Sequence, residues 1–460
     1  MRRLVAVACL GLALAGLFAH LSAAAFTGAT SIPSNSVTVD QLSNYFSVTP
    51  LTGAASGGVN NLALDFGTVA SARTFTSVFR VTNVSGASRT AVLTLSNVPQ
   101  ISSLGFGGGG TSITLAAGAS ATVNVTTSST VAGRGSGTLR LGLSGLSWMY
   151  RDYSVKIDEA PEAPTAPAVV QKPAGRLDLS WTASTTVTNL AGYDVYRSNG
   201  GAFTKLNPTP LTGTTYSDTS TVDGTSYSYK IDALTSGTPL LTSLDSSTVT
   251  ATADATAPTV TSVALANGGG AGNAYVNAAN TSSISVSVTL PAGSLTTDSV
   301  SVTVSNGSNS VTVTHAGTNG AGTFTITGLN LAGLGDGTLT ISARSTDLAG
   351  NVGATTSVGV TKDTVAPGAP TANYTDNNNN TADVVSGTAE ANASISVTKT
   401  SPAPTASYPT TANGSGSYTV NVAGTNGKPN APVAVTYTVS ASDAAGNTSA
   451  TTTLNFTDTK

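Results

Sequence analysis

Residues 336–351 read D-G-T-L-T-I-S-A-R-S-T-D-L-A-G-N, and residues 437–447 read Y-T-V-S-A-S-D-A-A-G-N. Each stretch alternates apolar and polar side chains and then breaks at a run that contains Asp, Gly and Asn. Alternation with a period of two predicts a β-strand with one buried face, and Asp, Gly and Asn suit a tight turn. The two stretches therefore predict the same strand and turn at two places in the chain.

The same alternation continues through most of the chain, in short runs that end at Gly, Asn, Asp or Pro. Examples are Leu139–Leu141, Ile284–Leu290 and Val302–Val304. Helical periodicity is almost absent. Short strands at intervals of roughly 8–12 residues are typical of antiparallel β-sandwiches of about 100 residues each. The length of 460 residues then predicts about four sandwiches in tandem after an export segment is set aside.

Composition excludes several classes of function. Only 9% of the residues are charged, against roughly 25% in an average soluble domain, whereas 39% are apolar. The formal net charge of -3 argues against nucleic-acid binding, which needs a surplus of Lys and Arg to release counterions. The single cysteine excludes a disulfide scaffold. The chain is therefore predicted to be β-rich, weakly charged and stabilised by burial.

The first segment predicts export. Arg2 and Arg3 precede an apolar run from Leu4 to about Leu21, and Ala23–Ala25 supplies small residues for cleavage. This order is typical of a secretory signal peptide over residues 1–25, although an apolar run of this length also suits a retained membrane anchor. After cleavage no other apolar run is long enough to span a membrane. The predicted localisation is secreted, either extracellular or associated with the cell surface.

Proline-containing linkers divide the remaining chain. Pro-spaced residues 158–167 form the first junction, and D-x-x-A-P occurs at Asp254–Pro258 and again at Asp363–Pro367. Proline fixes φ and removes a donor from the ladder, so it suits the exit from one sheet and the entry to the next. The predicted domains are 26–158, 159–253, 254–363 and 364–460.

Each predicted domain resembles a known type of sandwich. In 26–158, "DFGTV" at 65–69, "VTNVSG" at 81–86 and "LAAGASATVNV" at 115–125 resemble Ig-like domains of the Hydin and major-sperm-protein type. The preceding residues 25–36, which follow the predicted signal, resemble the start of camelysin-like and biofilm-fibre secreted proteins.

The second domain resembles fibronectin type III. Leu177-x-Leu179-Ser180-Trp181 is followed by "LAGYDVY" at 190–196 and "YSYKI" at 227–231. A buried Trp on an early strand, packed against later Tyr residues, is typical of such sandwiches. Domains three and four, with their repeated D-x-A-G-N, resemble the bacterial Ig-like repeats of large adhesins. The predicted fold class is all-β, with tandem Ig-like and fibronectin type III β-sandwiches in an elongated array.

No catalytic residue is predicted. His315, the only histidine after the signal, lies at the end of an alternating run without a nucleophile motif beside it. Neither G-x-S-x-G nor H-E-x-x-H occurs. The glycine runs at 107–110 and 268–270 lack the strand, Lys and Ser/Thr of a phosphate loop and are interpreted as flexible loop tips. The chain is predicted not to be an enzyme.

Structural calcium is the one cofactor that the sequence suggests. Calcium takes six to eight oxygen ligands from Asp, Asn and backbone carbonyls. In the adhesin repeats that the last two domains resemble, acidic loops near domain junctions often hold calcium, and the resemblance implies the same hypothesis for this chain. The candidate ligands form two trios of similar spacing: Asp347, Asn351 and Asp363, and Asp443, Asn447 and Asp458. The alternative is that D-x-A-G-N is only a turn and D-x-x-A-P only a linker.

Three functions remain open at this point. The first is a secreted, non-enzymatic adhesin or spacer that contacts an extracellular protein or carbohydrate through its loops. The second is a self-associating subunit of an extracellular fibre. The third is a non-catalytic accessory module of carbohydrate-active machinery. Trp148-Met149-Tyr150 is the one aromatic cluster that suits glycan binding, although a core strand is the preferred interpretation.

Overall fold

The computed structural model describes residues 31–32, 35–36, 41–317, 320–377, 382–423 and 431–458. Within these ranges nearly all regular structure is β-strand, accompanied by short 3₁₀ turns at Leu42–Asn44, Pro173–Gly175 and Ala271–Asn273. The predicted all-β class is confirmed. The predicted signal peptide and most of the camelysin-like start lie outside the described residues. The chain divides into two compact units, residues 1–171 with 176–253 and residues 172–175 with 254–460.

The first unit begins with a large sandwich. A small hairpin of β1 and β2 precedes two sheets, with strand orders β3-β6-β10-β8 and β4-β5-β12-β11-β7-β9. Alternate residues of both sheets, among them Phe79 and Leu141, form one buried core. The strands are β1 Ser31–Ile32, β2 Asn35–Ser36, β3 Phe46–Pro50, β4 Ala55–Ser56, β5 Ala63–Val69, β6 Thr74–Asn83, β7 Arg89–Ser96, β8 Ile101–Phe106, β9 Ser112–Leu115, β10 Ser120–Thr127, β11 Gly133–Leu143 and β12 Tyr150–Glu159.

A second sandwich completes the first unit. Its sheets have the orders β13-β14-β17 and β16-β15-β18-β19. Trp181 is buried between them and meets the Tyr193 ring edge-on at a centroid distance of 5.6 Å, as the fibronectin-like pattern predicts. The strands are β13 Thr165–Gln171, β14 Leu177–Thr182, β15 Leu190–Ser198, β16 Thr204–Lys205, β17 Thr215–Asp218, β18 Ser226–Thr235 and β19 Val249–Thr252.

The second unit contains a third sandwich, with sheets β20-β22-β25 and β21-β27-β26-β23-β24. Strict alternation in β22 and β23 buries every second side chain, and this pattern places one face of each sheet on a common core. The strands are β20 Ser262–Leu265, β21 Tyr275–Val276, β22 Ile284–Leu290, β23 Ser299–Ser305, β24 Ser310–His315, β25 Gly322–Leu329, β26 Gly337–Thr346 and β27 Thr356–Lys362.

The fourth sandwich has sheets β28-β29-β32 and β31-β30-β33-β34. Its core centres on Tyr437, which is fully buried and stacks on Phe456 at a centroid distance of 5.9 Å. The strands are β28 Asn373–Thr375, β29 Asp383–Thr388, β30 Ser394–Ser401, β31 Ala406–Thr411, β32 Ser417–Val422, β33 Val433–Ser442 and β34 Thr452–Asp458.

The hairpins β26–β27 and β33–β34 position the repeated sequence motif. D-x-A-G-N follows the last residue of β26 and of β33. At the opposite end of each hairpin, Gly337 pairs with Lys362 and Val433 pairs with Asp458. Because β26 and β33 each have 10 residues, the two ends of each hairpin are about 30 Å apart.

Candidate functional site

The four fixed positions of D-x-A-G-N each have a structural role in the turn. Asp443 N–H donates to the Asn447 carbonyl at 3.1 Å, and Gly446 N–H donates back to the Asp443 carbonyl at 3.2 Å. Gly446 has φ +85°, a conformation that glycine adopts without steric cost. Ala445 is fully buried. The sequence therefore sets a turn that holds Asp443 and Asn447 side by side.

The buried side chain of Asn447 joins three segments of the second unit. Its Nδ2 donates to Asp443 Oδ2 at 2.8 Å and to the Asp363 carbonyl, at the start of the linker, at 2.9 Å. Its Oδ1 accepts from the Ala278 N–H of the third sandwich at 2.9 Å. Asp443 Oδ1 in turn accepts from Asn447 N–H. We call this set of hydrogen bonds the junction clasp.

The clasp recurs, contact for contact, at Asn351. Its Nδ2 donates to Asp347 Oδ2 and to the Asp254 carbonyl, each at 2.9 Å. Its Oδ1 accepts from Ala174 N–H at 2.8 Å, and Asp347 Oδ1 accepts from Asn351 N–H at 2.8 Å. Ala174 and Asp254 belong to the same compact unit as Asn351. The two D-x-A-G-N motifs thus each bind the Asp that opens a D-x-x-A-P linker.

A second Asn and two glycines complete the clasp at Asn447. Asn277 Nδ2 donates to the Ala445 carbonyl at 2.8 Å, and the Asn277 side chain is buried. A Cβ on Gly269 would lie 2.5 Å from the Ala445 oxygen, and one on Gly270 would lie 2.2 Å from the Ala444 oxygen. The expectation that 268–270 is a flexible loop tip is therefore wrong. These glycines allow the backbone of the third sandwich to approach the turn of the fourth.

The structure brings together only two members of each predicted trio. Asp347 contacts Asn351 and Asp443 contacts Asn447, as proposed. Asp363, however, follows β27 at the far end of the hairpin from Asp347, and its carbonyl contacts Asn447 instead. Asp458 likewise ends β34 opposite Val433, about 30 Å from the turn. The similar spacing in sequence, 16 and 15 residues, reflects the length of a hairpin and does not mark a shared site.

The donor set of the clasp does not fit a cation. Both oxygens of Asp443 accept N–H groups from Asn447, and the Asn447 oxygen accepts from Ala278. Calcium would need those same oxygens as ligands. Across the described ranges no cluster of three or more His, Cys, Asp or Glu side chains suits a metal ion. Calcium binding itself is untested and stays a prediction, which the clasp makes unfavourable.

The aromatic cluster differs from the preferred interpretation. Met149 is buried, but Trp148 is 55% exposed and precedes the strand, which begins at Tyr150. Beside it, Arg140 donates to both oxygens of Asp152 at 2.7 and 2.8 Å and lies 3.6 Å from the centre of the Tyr150 ring. Arg140, Met149 and Tyr150 border a cavity of about 450 Å³. The cluster therefore lies at the surface, and of its three residues only Met149 is buried in the core.

Other titratable groups occupy structural positions. His315 is exposed at the end of β24, with Nδ1 against the Gly317 carbonyl and the ring beside Phe324. Burial raises the pKa of the Glu159 carboxyl to about 7, where it accepts from Thr127 Oγ1 at 3.2 Å. Burial and the neighbouring charge of Asp194 raise the pKa of Asp232 to about 6.

Sequence reasoning missed Asp254, Asn277 and Ala278 as members of the clasps. Asp254 carries a signal, since it opens the same D-x-x-A-P pattern as Asp363. Asn277 and Ala278 carry none, because their role depends on a loop that folding brings to the turn of another sandwich.

Comparisons with known proteins agree with this architecture. Residues 366–458 match the family described as bacterial Ig domain. An amylopullulanase of Thermoanaerobacterium saccharolyticum is 36% identical over 112 residues, which cover 23% of this chain and 8% of that protein. Chitinase 63 of Streptomyces plicatus is 38% identical over 84 residues, 18% of this chain and 13% of that one. The chain thus aligns with only a small part of these curated relatives.

A solved Fn3-like protein from Clostridium thermocellum is 31% identical, covers 20% of this chain and 91% of its own, and has a TM-score of 0.18. The chain is a multi-domain protein of the bacterial Ig and fibronectin type III type. Domains of this type are typically non-catalytic modules. Within the described residues, no helix is long and apolar enough to cross a membrane.

Proposed function

We propose that the chain is a secreted, non-enzymatic protein of the cell surface or extracellular space that acts as an adhesin or spacer. The junction clasp is the observation that carries this proposal. A spacer must transmit position from one domain to the next, and a buried Asn that binds the linker and the neighbouring sandwich supports that role. Loops at the sandwich ends then present contacts to an extracellular protein or carbohydrate.

The distribution of charge supports the same function. Arg134 pairs with Asp158 on the neighbouring strands β11 and β12, and Arg197 pairs with Asp218 between the two sheets of the second sandwich. Low overall charge gives little electrostatic steering, so recognition would depend on shape and hydrogen bonding. The predicted signal peptide would direct export of the chain. Cleavage of this peptide would release the protein from the cell, whereas its retention would anchor the protein in the membrane.

Light scattering and electron microscopy of the purified full chain test this proposal against the fibre alternative. A spacer gives monomers that appear as separate particles at micromolar concentration. Filaments that grow with concentration would overturn the spacer role and favour a self-associating subunit, since strand exchange between sandwiches is one route to such a polymer.

An accessory role in carbohydrate-active machinery is the second candidate. It is favoured by the partial matches to an amylopullulanase and a chitinase, in which the aligned segments are small parts of the enzymes. In that role the chain would raise hydrolysis of an insoluble polysaccharide by a separate hydrolase. Equal hydrolysis of starch granules and of chitin with and without the chain would exclude this role.

A further inference from the structure

A cavity of about 450 Å³ opens on the outer face of the first sandwich. Leu139 and Leu141 point into the core, so the alternate residues Arg140 and Gly142 face outward on β11. Residues 144–147 and Met149 of the hairpin loop line the cavity, and Tyr150 forms another wall. The volume lies within the range of roughly 300–1,000 Å³ that is typical of small-molecule sites.

The polar wall of this cavity is locally neutral. Arg140 binds Asp152 through two parallel hydrogen bonds, which fix the guanidinium plane over the Tyr150 ring. Arginine carries five N–H donors, so this pair still offers donors from Arg140 and acceptors from Asp152 at the surface. Paired charges of this kind do not favour an anion. They suit a ligand with neutral hydroxyl groups that both donate and accept.

The apolar side of the cavity is aromatic and aliphatic. Tyr150 and Leu146 line it, and Trp148 lies in the same loop with 55% of its surface exposed. An aromatic ring has a negative face that attracts weakly positive C–H groups. A pyranose ring has C–H groups on its faces and hydroxyl groups around its edge, so it matches both walls of the cavity.

We propose that this cavity binds one unit of a neutral sugar chain, with Tyr150 against the ring and Arg140 bonded to hydroxyl groups. Asp152, paired with Arg140, and the exposed Trp148 of the same loop do not line the cavity and would contact the sugar from outside it. The inference names the ligand class for the binding role proposed above and rests on that role. A longer sugar chain would continue across the outer face of the sheet beside Thr94.

Calorimetry and tryptophan fluorescence on the full chain test the site. The probes are neutral hexasaccharides of α-linked glucose, β-linked glucose and β-linked N-acetylglucosamine, with hexagalacturonate as the anionic comparison. We expect one neutral hexasaccharide to bind and to change Trp148 emission, because Trp181 is buried in another core. Trp148→Ala, Tyr150→Ala and Arg140→Ala each weaken binding at least tenfold.

Arg134→Ala is the matched control. Arg134 forms the same bidentate pair with Asp158 on the same two strands but does not border the cavity. The affinity of the Arg134→Ala variant for the neutral hexasaccharide stays within twofold of that of the parent chain. The inference is overturned if no neutral hexasaccharide binds at millimolar concentration, if hexagalacturonate binds more tightly, or if Arg140→Ala and Arg134→Ala behave alike.

Two further measurements distinguish loss of sugar binding at this site from unfolding of the variant and from failure of the proposed spacer function. Melting curves identify a variant that unfolds, and Trp148→Ala, which alters an exposed side chain, then carries the test. Monomeric particles without sugar binding would reject this site and leave the spacer role intact, whereas filaments would reject the spacer role.

Discussion

Replacing Asn447 with alanine removes the three hydrogen bonds that the Asn447 side chain makes in one junction clasp. The Ala278 N–H of the third sandwich and the Asp363 carbonyl of the linker lose their Asn447 partner, and Asp443 loses one donor. The turn itself keeps its backbone bonds between Asp443 and Asn447. The change is therefore directed at the junction rather than at the core of either sandwich.

The magnitude follows from the number and kind of bonds lost. A neutral hydrogen bond contributes about 0.5–1.5 kcal/mol and one to a charged group about 1.5–3 kcal/mol. Water replaces part of this once the junction opens, so about 2–3 kcal/mol of junction stability is lost. A loss of 2 kcal/mol corresponds to roughly 30-fold more frequent opening.

Amide hydrogen exchange at single-residue resolution measures this opening. Exchange at Ala278 rises roughly 30-fold in Asn447→Ala while core amides such as Val302 keep their protection. Asn351→Ala is the crossed control, because it exposes Ala174 and leaves Ala278 protected. Unchanged exchange at Ala278, or equal exchange at both amides in both variants, would refute the clasp.

Three other changes test separate parts of the structure. Gly270→Ala places a Cβ 2.2 Å from the Ala444 oxygen and should lower the free energy of unfolding of the second unit by about 2–3 kcal/mol. Gly272→Ala is the control, because Gly272 also has a positive φ but has open space around it, and it should cost only about 1 kcal/mol. Equal losses of the two variants in chemical denaturation would contradict the close approach of Gly270 to Ala444. The raised pKa of Glu159, about 7, means that the folded state holds a proton that the unfolded state releases above its ordinary value of 4.5. Stability should therefore fall as pH rises from about 4.5 to 7, and Glu159→Gln should flatten this part of the melting profile; a parallel profile would disprove the assignment. Millimolar calcium should leave the melting temperature unchanged, since N–H donors occupy the clasp oxygens, and a clear rise would restore the calcium hypothesis.

The strands and turns could be predicted from the sequence because they depend on the local pattern of apolar and polar residues. The alternation in 337–346 predicts β26, and the Asp, Gly and Asn that follow predict its turn. The structure does not bring the three members of each predicted calcium trio together, and the reason is geometric. Two residues about 15 apart, one at the turn of a hairpin and one at the end of its second strand, lie at opposite ends of the sheet. The sequence alone does not mark the point at which the chain reverses.

The parts that sequence reasoning missed depend on tertiary contact. Gly269 and Gly270 have the composition of a loop tip, and only their approach to Ala444 and Ala445 reveals why side chains are excluded. Trp148 follows a strand but lies in the turn before the next strand, where alternation no longer decides burial. Its exposure and the pairing of Arg140 with Asp152 required the folded sheet.

Pulsed electron paramagnetic resonance between the third and fourth sandwiches tests the central claim most directly. Spin labels at Ser308→Cys and Thr453→Cys occupy exposed positions of the two sandwiches, with Cys9→Ser removing the native thiol. The clasp predicts one narrow distance distribution that broadens in Asn447→Ala. A broad distribution in the parent chain, unaffected by that substitution, would contradict a spacer whose domains are held by D-x-A-G-N.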